Sequence, residues 1–109
     1  MQYFNYPPSR DTKELAQGVL ARTFWGEDLM LAAITFEPNA QVPSHKHPHE
    51  QAGTVLSGEV EFIIDGERSL LKAGDIYLIP SNVEHSAKAG PSPAQVLDIF
   101  TPVREDLKY

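Results

Sequence analysis

The sequence contains no cysteine, which excludes a disulfide framework and any thiolate-bound metal. Basic residues are few: nine Lys and Arg stand against fifteen Asp and Glu, a formal net charge of −6. They are also scattered, whereas phosphate binding needs clustered Lys and Arg, so nucleic acid is not an expected partner. An acidic average leaves local charge open, because a bound metal can make one pocket positive. No apolar run approaches the ~20 residues needed to span a bilayer, and no membrane partner is expected. The opening MQYFNYPPSR has no apolar stretch after a basic start and does not read as a signal peptide. A cytoplasmic location is the expectation. Helical signals are scarce too. Only Asp11 to Gln17 could make about two helical turns, with Gly18 to end them.

What remains is rich in β signals. The 109 residues, 41% hydrophobic, suit one domain over 1–109 with a modest core, a size that gains from oligomerising. Gly18 to Phe24 and Leu29 to Phe36 flank Trp25-Gly26-Glu27-Asp28, which reads as a hairpin connection. Met30, Ala32, Ile34 and Phe36 share a face by the period-two rule. Val60, Phe62 and Ile64 alternate with Glu59, Glu61 and Ile63, and Asp65-Gly66 supplies a turn. Ile76 to Ile79 is closed by Pro80, and Val96 to Thr101 is the last strand. Many short strands with close turns imply an all-β antiparallel sandwich or barrel.

Three of the four histidines fall within HKHPHEQ, residues 45–51. In an extended chain residues two apart share a face. His45, His47 and Gln51 then point one way and Glu50 the other, with Pro48 marking a bend before His49. Two neutral imidazoles and an amide oxygen make three-quarters of a site for a divalent metal. His85, after Pro80-Ser81-Asn82-Val83-Glu84, can complete it if a barrel brings its strand alongside. The plainer alternative is a solvated His-rich loop.

HKHPHEQAGTVLSGE resembles the first motif of the cupins: His-x-His, a ligand four residues after the second His, and Gly58 seven further on. GDIYLIPSNVEH resembles the second, with Gly74, Pro80 and His85. The resemblance covers roughly residues 30 to 101. It implies a double-stranded β-helix, a jelly-roll-like barrel, holding one divalent metal on His45, His47, Gln51 and His85. Nickel, iron, manganese, cobalt and zinc all suit such ligands. Three positions depart from the usual pattern. Asn39 and Asn82 stand where glycine is usual, and asparagine is the next most tolerant of a left-handed backbone. Gln51 stands where Glu is usual, so the ligand set is neutral and the metal keeps its full charge for an anionic oxygen ligand.

VLDIFTPVRED holds the other unusual feature. Val96, Asp98 and Phe100 share a face, and an Asp between apolar residues is either at the surface or buried with a partner. Beside a metal cavity it is a candidate proton donor or acceptor. Arg104 either pairs with that Asp and pins the tail, or clamps a substrate carboxylate. The first motif and this tail together are similar to the small cupins of the pectin-degradation KdgF family. That resemblance implies opening of unsaturated uronate monosaccharides to linear keto sugars, with Asp98, Phe100 and Arg104 in the substrate site. Thr54, where many such cupins have an aromatic residue, leaves the pocket shape open. The reading is a metal-dependent, non-redox enzyme for a small anionic carbohydrate. Its rivals are another cupin enzyme, such as a dioxygenase, and a non-catalytic sugar-binding cupin. Tyr3, Phe4 and Tyr6 suggest an N-terminal edge strand or a contact within a homodimer.

Overall fold

A computed structural model describes residues 2–109. Ten strands run in chain order among the described residues: β1 (Lys13–Ala16), β2 (Val19–Trp25), β3 (Met30–Phe36), β4 (Gln41–His45), β5 (Glu50–Ser57), β6 (Glu59–Ile64), β7 (Glu67–Lys72), β8 (Ile76–Ile79), β9 (His85–Ala89) and β10 (Ala94–Thr101). They form a six-stranded sheet, β1-β2-β3-β10-β5-β8, facing a four-stranded one, β4-β9-β6-β7. All pairings are antiparallel. The result is a jelly-roll sandwich. Hydrogen-bonded ladders do not close it into a continuous barrel, since among the described residues no strand of one sheet pairs with the other. Among the described residues no helix is long and apolar enough to cross a membrane.

The two-residue alternation sorts side chains as the pattern predicts. Met30, Ala32, Ile34 and Phe36 are all buried, as are Val96, Asp98 and Phe100 on β10 and Val60 and Phe62 on β6. These inward faces make the core between the sheets. The Asp65-Gly66 turn has φ 50° and 79°, the left-handed pair that a tight β-hairpin of natural twist requires. Asn39 and Asn82, at φ 61° and 63°, do adopt the left-handed backbone.

The helix expected near the N-terminus and the edge strand offered for Tyr3, Phe4 and Tyr6 are both absent. The Asp11–Gln17 stretch is not helical, because Lys13–Ala16 is strand β1, paired with β2 through Lys13 opposite Ala21. Two turns are too few to hold a helix in water, while the open edge of β2 supplies ladder partners and the core accepts Leu15 and Ala16. Tyr3, Phe4 and Tyr6 form no strand and lie exposed. The outer face of the larger sheet is unexpectedly apolar. Register aligns Phe24, Leu31, Ile99, Ala52 and Leu78 in one row across five strands, with Leu78 70% exposed.

Gly58 joins β5 to β6 at φ 75°, and a Cβ there would strike the carbonyl oxygen of Pro93 and lie 2.8 Å from the Cα of Ala94. Gly66 has a similar φ of 79° with nothing within 4 Å. Gly58→Ala should therefore cost about 2–4 kcal/mol and Gly66→Ala about 1 kcal/mol, measured by urea denaturation. Equal losses would mean that the backbone conformation alone, not the close approach, requires glycine at 58.

Candidate metal centre and its buried carboxylate

His45 ends β4 directly opposite His85, the first residue of β9. The chain then bends through residues 46–49, so the histidine run is not one extended strand. The bend lays His47 back over the other two. Strand β5 restarts at Glu50, which is exposed, and turns Gln51 inward to 6% exposure. The sequence parity thus gives the right faces, although its premise of a straight chain fails at Lys46–His49. Ring centroids lie 4.3 Å apart for His45 and His85, 4.9 Å for His47 and His85, and 5.7 Å for His45 and His47. The three residues each offer a ligating nitrogen within 4.8 Å of the others. His49 is outside that group.

The hydrogen bonds fix the tautomers. Nδ1 of His45, His47 and His85 meets the carbonyl oxygens of Pro43 (2.8 Å), His49 (2.9 Å) and Val83 (2.8 Å). A carbonyl only accepts, so each Nδ1 carries the hydrogen and each Nε2 keeps a lone pair. Nε2 of His85 is buried with no partner. Nε2 of His47 lies 3.1 Å from Oε1 of Gln51. The Gln51 amide also lies near Asp98 and favours its charged form, an influence only the NH₂ group can exert. The amide oxygen is therefore left facing the His47 lone pair. Acceptors gathered this way repel unless a cation is shared among them, and the donor set fits a divalent metal.

Burial pushes His85 down to about 4, aided by the charges of His45, His47 and Arg104. Burial and Arg104 likewise lower His47. Both imidazoles are held in the neutral, ligating form.

Asp98 projects from β10 into the same space and is 5% exposed. Its partner is not Arg104. The Tyr77 hydroxyl donates to its Oδ1. Burial pushes the carboxyl up to about 6, against the opposing influence of Tyr77, Gln51 and Arg104. Tyr77 itself is raised, chiefly by burial and then by the Asp98 charge, so it remains a donor. Arg104 instead donates to Asp106, from Nη2 to Oδ2 at 2.9 Å and from Nε to Oδ1 at 3.4 Å. The guanidinium lies 5.0 Å over the Phe100 ring. The Asp98–Arg104 ion pair considered from sequence is not formed.

One cavity of about 60 Å³ collects His45, Gln51, His85, Asp98, Phe100 and Arg104 in its wall. Thr54 is not part of that wall, and its hydroxyl donates to the Asp75 carbonyl at 2.9 Å. The departure at that position therefore leaves the cavity unchanged. Sequence reasoning missed Tyr77 and Asp106. A signal for Tyr77 was present, since Gly53 inside a strand marks a close approach by something else.

A jelly roll with a histidine trio inside one end defines a class, and the comparisons agree with it. The cupin domain profile matches residues 32–100, and the chain belongs to the cupin family. It is 33% identical over 96 residues to the pectin degradation protein KdgF of Dickeya dadantii, covering 86% of this chain and 87% of that one. The structure of KdgF from Halomonas sp. superposes with a TM-score of 0.91 at 28% identity, covering 99% and 100% of the two chains. An RmlC-like cupin from Shewanella frigidimarina gives 0.92 at 28% identity, covering 99% and 97%.

In the metal-free protein His85 should stay neutral well below the ordinary imidazole range. Its folded value of about 4 lies under the usual 6.5, so at a pH of about 5.5 a free histidine is mostly charged and His85 is not. Imidazole ¹⁵N shifts followed from pH 7 to 5 read this directly. A midpoint near that of free histidine would show that burial does not govern the site.

Proposed function

We propose that this cupin opens the ring of an unsaturated uronate monosaccharide to a linear keto sugar, with a divalent metal held by His45, His47, Gln51 and His85. The observation that carries the reading is the convergence of a free-edged guanidinium, a buried carboxyl and two members of the histidine trio, His45 and His85, on one small cavity. Likeness to the pectin degradation protein KdgF supports the substrate class. A cavity of about 60 Å³ suits the reacting end of a small molecule and not a polymer chain.

The net change is an isomerisation, with no oxidant or reductant. The anomeric hydroxyl loses a proton, the bond from the anomeric carbon to the ring oxygen breaks, and the resulting enolate takes a proton on carbon to become the ketone. Asp98, at about 6, is poised to receive that proton and return it near neutral pH. Asp106 occupies Nε and one Nη2 proton of Arg104, which leaves the Nη1 edge for the sugar's carboxylate. Phe100 lies under the guanidinium and edge-on to His47, 5.8 Å between ring centroids, and keeps both oriented. When bound, the metal supplies a Lewis acid for the sugar's oxygens, undiminished in charge because its ligands are neutral.

Asp98→Asn should lower kcat by ~10²–10⁴ while metal content persists. Arg104→Ala should mainly raise KM, and His85→Ala should abolish metal binding where Glu50→Ala does not. Turnover of an unsaturated uronate, with metal analysis of each variant, tests the set. Full activity in Asp98→Asn would remove its role, and sugar recovered unchanged by the wild type would leave a binding protein.

The same reading includes a homodimer formed through the outer face of the larger sheet. The apolar row from Phe24 to Leu78 suits a flat, self-complementary contact between two copies. Light scattering should give a dimer for the wild type and a monomer for Leu78→Glu. A wild-type monomer at micromolar concentration would sink this idea.

A further inference from the structure

Asp98, Gly53 and Tyr77 form one row across three adjacent strands, with Gly53 opposite Asp98 on one side and Tyr77 on the other. In an ordinary row the middle residue would put a side chain between its neighbours. Gly53 leaves the space empty, and Tyr77 lies across it to reach Asp98. A Cβ on Gly53 would collide with the Tyr77 ring and its hydroxyl. Gly53 is not among the glycines with positive φ, so room for Tyr77 is the structural reason for glycine at this position. Phe62, from the opposite sheet, stacks on the ring at a centroid distance of 4.2 Å and closes the far side. Among the described residues the Tyr77 hydroxyl has no partner other than Asp98.

We propose that Tyr77 is a positioning residue. Its hydroxyl, laid over the bare backbone of Gly53, holds the Asp98 carboxylate in the one orientation that serves both the cavity and the Gln51 amide. The carboxylate has two oxygens and three neighbours to satisfy. With Tyr77 fixed on Oδ1, the orientation of the other oxygen is set as well. Gln51 is oriented in turn, since its oxygen faces His47 and its NH₂ is left toward the Asp98 carboxylate, whose charged form it favours. One tyrosine thus fixes the placement of a proton-handling group and of an amide beside the histidines.

The inference rests on the role proposed for Asp98, and the experiment keeps the two separable. Tyr77→Phe should lower kcat about tenfold or more, with KM within about twofold and metal content unchanged. The double variant with Asp98→Asn should be no slower than Asp98→Asn alone, because residues acting through one group are not additive. Gly53→Ala, which displaces the ring without touching the hydroxyl chemically, should resemble Tyr77→Phe. A crystal structure of metal-free Tyr77→Phe should show the Asp98 carboxylate rotated or in two orientations, a readout independent of any substrate. Wild-type kinetics in Tyr77→Phe, multiplicative losses in the double variant, or an unmoved Asp98 would each overturn the positioning role. Full turnover by Asp98→Asn would overturn the proton-handling role and this inference together.

Discussion

Strand β10 is paired on both edges, and its register governs what the cavity contains. Against β3 it sets Asp98 opposite Ala32, and against β5 it sets Asp98 opposite Gly53 and Phe100 opposite Gln51. A slip of one residue would turn Leu97 and Ile99 inward and put Asp98 in solvent. The ladder is held at this register by the apolar residues around the carboxylate. Val96 and Phe100 are each 2% exposed, and turning them out would lose several kcal/mol of burial. Hydrophobic packing, not any polar contact, therefore delivers the carboxylate to the cavity.

Burying that carboxylate without a direct ion pair demands other compensation. An unpaired buried carboxylate protonates or destabilises the fold. Here two uncharged donors, Tyr77 and Gln51, approach it directly, while Arg104 acts from farther off. The balance leaves the group near 6 rather than clamped fully ionised as a close Arg–Asp pair would be. Arg104 remains free to face the cavity because Asp106, more exposed at 59% of its side chain, takes up one edge of the guanidinium. Separating the two potential partners leaves both in the cavity wall without a direct ion pair between them.

How much of this was legible follows from how local each feature is. The strands and their inward faces were readable because alternation is a local property of the chain, and β3 and β10 obey it throughout. The histidine trio was readable because two members lie two residues apart and the third follows a Pro-terminated strand. The partners of Asp98 and Arg104 were not readable. Asp98 and Asp106 are both plausible neighbours of Arg104 in sequence, and only the bend after β10 decides between them. Tyr77 lies 21 residues from Asp98, so nothing nearby links the two. The short segment before Gly18 misled because Lys13 to Gln17 are each good helix formers, but two turns are too few to hold a helix and the open edge of β2 offered a better use of the backbone.

The tail shows why the ends of the chain belong to the site. Arg104 lies beyond the last strand, where nothing in the ladder holds it. Leu107 is buried in the core, and its carbonyl accepts from the Thr23 hydroxyl at 2.8 Å. Tyr109 places its hydroxyl between the carbonyls of Asp11 and Ala21, at 2.5 and 3.2 Å, and lies under the Arg10 guanidinium at 4.0 Å. Arg10 is itself tied down, since its carbonyl accepts from Nε of Arg22 at 2.7 Å. Strand β2 thus anchors both terminal segments. The guanidinium that faces the cavity follows a tail that is fastened to β2 through Leu107 and Tyr109. Loosening those contacts would move Arg104 before it disturbed the histidines, because His45, His47 and His85 are set by β4, β9 and the bend between β4 and β5.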